Sequence, residues 1–120
     1  MSPVLIFLVA GIALLHLCFL ILEMFLWTRP LGLRVFNQSK DKAEASAVLA
    51  ANQGVYNGFL VAGLLWGLFA SDPVYSGQIL VFFLGCVSVA GVYGGYSVNK
   101  RIFVVQAAPA LIALGLFFLT

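Results

Sequence analysis

Apolar positions along this chain fall into four long runs with no alternation inside them, and the charged positions gather between the runs. The runs extend over about residues 3–27, 46–70, 76–97 and 102–120. Each reaches the roughly 20 residues that a helix needs to cross a hydrocarbon layer. Breakers sit where the runs stop. Thr28-Arg29-Pro30 closes the first, Ser71-Asp72-Pro73 the second, and Asn99-Lys100-Arg101 separates the last two. Transmembrane strands would alternate apolar and polar positions, so the pattern predicts helices, which satisfy their own backbone in lipid. The expected fold class is all-α, an integral membrane four-helix bundle, with one transmembrane domain over residues 1–120.

Composition agrees. The chain is 63% hydrophobic and 8% charged, whereas soluble domains carry about 25% charged residues. Mean hydropathy is +1.12. The first run lacks a basic leader and extends past the roughly 7–15 apolar residues of a signal peptide, so it reads as a true span.

The basic residues are distributed unevenly. Arg29, Arg34, Lys40 and Lys42 lie in the first connection, and Lys100 and Arg101 in the third. Short connections rich in Lys and Arg stay in the cytoplasm. The expected topology is therefore N-out and C-out, with loops 28–45 and 98–101 cytoplasmic. The long first connection is expected to hold an interfacial apolar stretch, Leu31 to Phe36. Ser39 is expected to cap a helix that begins in water with Lys40, Asp41, Lys42 and Glu44 as its solvated first turn. Trp27 and Tyr75 fit interfacial anchors at opposite surfaces. A net charge of +2 points to no nucleic-acid partner. Cys18 and Cys86 lie in apolar runs and read as packed small residues. There is no phosphate loop, nucleophile elbow or CxxC pattern, and no cofactor is expected.

The polar residues inside the runs carry the functional expectation. Glu23 lies about one turn from the cytoplasmic end of the first helix, and His16 sits two turns deeper on the same face. Asn52, Gln53, Tyr56 and Asn57 fall within two turns of the second helix. Tyr93 and Tyr96 close the third helix on the same side, and Gln106 begins the fourth. Nearly all strongly polar intramembrane groups thus belong to the cytoplasmic half. Gln53 and Asn57 are four apart, with Asn52 and Tyr56 beside them, and all four fit on less than half of the circumference. Such a face cannot look at lipid. It either holds helices together through interhelical amide bonds or lines a polar site. A carboxyl within a span costs at least about 2.5–3.5 kcal/mol when charged near the centre. Glu23 therefore either pairs with Arg29 or Arg101, or exchanges a proton or binds a cationic or hydroxyl-bearing ligand. His16 is a candidate relay partner. His16 and Glu23 have no third ligand at a recognisable spacing, so no metal site is expected. Gly54/Gly58, Gly63/Gly67 and Gly91/Gly95 each form a small-xxx-small pair for close helix approach. Gly54 and Gly58 are expected on a different face from Gln53 and Asn57.

Two resemblances rest on these residues. Glu23-Met24-Phe25-Leu26-Trp27 followed by Asn52-Gln53-Gly54-Val55-Tyr56-Asn57-Gly58 resembles a family of small, four-span bacterial membrane proteins of unknown function, over essentially the whole chain. It implies a four-helix protein of the cytoplasmic (inner) membrane and supplies no activity. More distantly, Ala51-Asn52-Gln53, the short second connection and Tyr93-Gly94-Gly95-Tyr96 are similar to the membrane-associated eicosanoid and glutathione metabolism proteins. That plan implies a trimer with ligand sites between subunits. Where that family has a Glu-Arg pair entering its second helix, this chain has Glu44-Ala45, so glutathione chemistry is not implied. Small multidrug transporters also carry a carboxylate in the first of four helices, but the signature around it is not matched here.

Three readings stand at this stage. The first is a polar intramembrane site near the cytoplasmic side that binds or transforms a small amphipathic or lipid-like ligand. It would be lined by Glu23, Asn52, Gln53, Tyr56, Asn57, Tyr93, Tyr96 and Gln106, with Glu23 and His16 as candidate catalytic groups. The second is a proton-coupled transporter, and the third a structural or accessory subunit. The expected partners are the lipid bilayer and further copies of the chain, as a dimer or trimer.

Overall fold

A computed structural model describes residues 1–120. It contains α1 (Pro3–Met24), α2 (Pro30–Val35), α3 (Lys40–Phe69) and α4 (Pro73–Ser97). The last span, Lys100–Leu119, comprises α5 (Lys100–Ile102), a π-helical turn (Phe103–Ala107) and α6 (Ala108–Leu119). The chain is all-α, with four helices long and apolar enough to cross a membrane.

The helix ends follow from local chemistry. The chain turns after Met24, and Arg29 is extended at φ −86° and ψ 161° because the ring of Pro30 disfavours a helical residue before it. Pro30 then opens α2, where its fixed φ suits a first turn. Ser39 caps α3 as expected. Its Oγ accepts the Lys42 amide at 3.2 Å, and its carbonyl accepts the Ala43 amide at 3.0 Å. Lys40 and Glu44 form an exposed i,i+4 pair at 4.0 Å in the first turn, of the kind that contributes little to stability. The third span begins at Pro73, earlier than hydropathy suggests. The Asp72 carboxylate accepts the Val74 amide at 2.8 Å and the Tyr75 amide at 3.2 Å, and Pro73 occupies the first helical position. Asn99 does the same for α5 by accepting the Arg101 amide at 2.9 Å.

The π-helical turn has an identifiable cause. Pro109 lies inside the fourth span and would drive its ring into the carbonyl of the residue four back in a regular helix. The chain widens by one residue per turn instead, and the Ala108 amide reaches Phe103 rather than its i−4 partner.

The residues cluster into two units. The first holds Met1–Ala13 and Ala62–Thr120, and the second Leu14–Val61. In the first unit, glycines set the helix spacing. Gly63 faces the ring of Phe83, and Gly67 faces Leu80. Gly91 meets the backbone of Ala107, so closely that an added methyl would fall 2.7 Å from the Ala107 Cβ and 2.8 Å from its Cα. The Ser76 hydroxyl donates to the Gly67 carbonyl at 2.6 Å and ties the start of α4 to the end of α3. Leu64, Leu80, Leu84, Val87, Ala107, Ala110 and Ala113 form the interior of this unit.

Candidate functional site

The second unit brings α1 and the first two-thirds of α3 together through Gly54 and Gly58. A side chain on Gly54 would collide with Met24 and lie 3.4 Å from the Glu23 Cβ, and one on Gly58 would lie 3.0 Å from Leu20. The same contact joins Glu23 to Asn57. The Asn57 Nδ2 donates to Glu23 Oε1 in a short hydrogen bond. Asn57 is 5% exposed, and Glu23 is half-buried. The carboxyl is therefore held by a neutral amide and not by the Arg29 guanidinium, which is exposed. An amide donor fixes the carboxyl without neutralising it. His16 is fully buried and packs edge-on to Phe19, with ring centroids 5.6 Å apart.

The α3 polar quartet divides. Asn57 points inward, whereas Asn52, Gln53 and Tyr56 are exposed. This corrects the expected separation of a packing face from a polar face. At about 100° per residue, Asn57 lies some 60° from Gly54 and so shares the packing face, while Gln53, Tyr56 and Asn52 fan progressively away from it. The structure thus brings Glu23 and Asn57 together and leaves the other three side chains on the outer surface of the unit. Tyr93, Tyr96 and Gln106 belong to the first unit. Tyr93 and Tyr96 are 69% and 89% exposed, and Tyr93 borders a shallow apolar groove beside Phe82, Cys86 and Val89. Gln106 is partly buried in the π-helical turn before Pro109.

A corner supports the site from below, and hydropathy alone did not mark its parts. The Trp27 indole N–H donates to the Ser46 hydroxyl at 3.2 Å, and its ring tilts against Phe36 at 4.8 Å. Trp27 is thus a clip between the first connection and α3 as well as an aromatic near a helix end. Gly32 of α2 packs directly on the Leu26 carbonyl. Asn37 adopts a left-handed conformation at φ 49°, which asparagine tolerates, and turns the chain toward Ser39.

Groups of three or more His, Cys, Asp or Glu side chains able to hold a metal ion are absent. Cys18 and Cys86 are free thiols.

Comparison with known proteins gives a family and no activity. A family model described as "Protein of unknown function (DUF1304)" matches residues 10–118. The chain is 35% identical over 95 residues to "Uncharacterized protein YpaA" of Lactococcus lactis subsp. lactis (strain IL1403), an alignment that covers 78% of each chain. No solved structure matches it. The resemblance carried by the Glu23–Trp27 and Asn52–Gly58 segments is therefore to its own family: the chain is a member of the DUF1304 proteins of unknown function.

Proposed function

We propose that this protein binds a small amphipathic or lipid-like molecule, with the Glu23–Asn57 pair as the site for its polar head. One observation carries the reading: a half-buried carboxyl on a membrane-length helix is held by an amide through one oxygen and by no cation. Ionisable groups within spans pair with one another or with backbone carbonyls, or mark ligand and proton paths. A carboxyl held by Asn57 alone keeps a second oxygen for a hydroxyl or cationic group. In this reading the chain lies in the bacterial cytoplasmic membrane with the basic connections 28–45 and 98–101 inside, so the ligand enters from the inner leaflet.

The experiment compares native mass spectra of the detergent-purified protein with those of Glu23→Gln. The glutamine keeps the size of the side chain and can still accept from Asn57. The expected result is a co-purifying small molecule on the wild type that is absent from the variant. Bare spectra from both proteins would refute the proposal and favour a structural role for the pair.

His16 favours a second reading. It is a buried titratable ring two turns along α1 from Glu23, which suits a proton path. Substrate-driven proton movement in liposomes that vanishes in Glu23→Gln would select transport over simple binding.

A further inference from the structure

The outward residues of α3 form a pattern that the Glu23 site does not use. Ala45, Leu49, Asn52, Tyr56 and Phe59 are all exposed, and their spacings are four, three, four and three. That spacing marks one outward face of the helix, as Leu14, Cys18 and Ile21 do on α1, and the Asn52 amide sets the α3 face apart. Where α3 spans a bilayer, the amide in the middle of the seam lies at hydrocarbon depth. Val48 and Leu49, one turn nearer the polar end of α3, are 76% and 72% exposed, and Phe59 on the other side is 60% exposed. Asn52 also lies about 25 Å of helix rise from Phe69, inside a layer about 30 Å thick. A carboxamide in that position has lost its water. Its stem is also too short to reach the interface as a lysine would.

We infer that this seam is covered by the same seam of a second copy of the chain. The residue types select that occupant. Copies inserted with one topology are related by an axis along the bilayer normal, so identical residues meet at identical depth. Asn52 then faces Asn52, and a carboxamide both donates and accepts, so two of them satisfy each other. A ring of carboxylates or ammonium groups in the same place would repel. Gly54 and Gly58, the other close-packing signal on this part of α3, are already occupied by Leu20, Glu23 and Met24 of the same chain. The contact between copies therefore runs through the polar seam and not through the glycine pair. The inference does not depend on Glu23 binding anything.

Two measurements test it together. The first is the native mass of the unaltered protein. The second is oxidative cross-linking in membranes of Leu49→Cys, which keeps Asn52, made in a background where Cys18 and Cys86 are replaced by alanine. Val89→Cys, on an exposed position of α4, is the control, and Phe59→Cys repeats the test should Leu49→Cys fail to accumulate. The expected result is a mass that is a multiple of 12.9 kDa, with covalent dimers from the seam cysteines and none from Val89→Cys. A monomeric mass with bound lipid would overturn the inference by making lipid the occupant. Seam cysteines that cross-link no more than the control, or only to a protein of another mass, would overturn it as well.

Discussion

Gly32→Ala is expected to destabilise the protein by about 3 kcal/mol, the upper part of the range for overpacked sites. The added methyl would fall on the Leu26 carbonyl oxygen and lie 2.8 Å from its carbon and 3.1 Å from the Trp27 Cα. All three obstacles are backbone, so no rotamer change relieves the clash. The same carbonyl accepts the Arg29 amide at 3.1 Å, and that bond shapes the turn between α1 and α2. Moving it shifts Trp27 away from Ser46 and Phe36. Thermal unfolding in detergent measures the loss. Gly85→Ala is the matched control, because nothing lies within 4 Å of a side chain added there. It should change stability by less than about 1 kcal/mol and in the favourable direction, since alanine is the better helix former.

The second large effect is expected at Asn57. Asn57→Leu removes the donor to Glu23 and leaves a half-buried carboxyl facing apolar side chains. Leaving a buried polar group without its partner costs roughly 1–3 kcal/mol. The double variant Glu23→Leu with Asn57→Leu should recover much of that loss, because both polar partners are then gone. A thermodynamic cycle over the four proteins should give a coupling of about 2 kcal/mol. Simple additivity would show that the two side chains do not interact. Glu23→Gln alone should stay close to wild-type stability, which makes it the clean probe of function.

The spans were legible because a bilayer dictates both the length of an apolar run and its helical conformation. Ser39 announces a helix start through its cap chemistry, whereas Asp72 and Asn99 read in the sequence only as breaks between spans and also cap the helices that follow them. Faces were harder to read. In a soluble helix the inward side is the apolar side, but every side of a membrane helix is apolar, so hydrophobic periodicity carries no direction. The usable signal was the glycines. Asn57 lies three residues after Gly54 and joins the face that packs, while Gln53 and Asn52 do not. Glu23 was recognisable as a singular charge, but its partner was not. The sequence offers Arg29 or Arg101, and the approach of α1 to Gly54 selects the Asn57 amide instead. The clip of Trp27 on Ser46 depends on how the first connection folds back, and no local pattern encodes that.

In the proposed reading Glu23 is a reachable group inside the bilayer and not sealed packing between helices. Treating membranes with a carbodiimide that dissolves in hydrocarbon, then mapping the modified peptides by mass spectrometry, tests this most directly. One dominant adduct is expected on Glu23, absent in Glu23→Gln, with Asp41, Glu44 and Asp72 largely unmodified because they lie at the water-facing ends of α3 and α4. A folded protein whose Glu23 stays unmodified while those three react would contradict it.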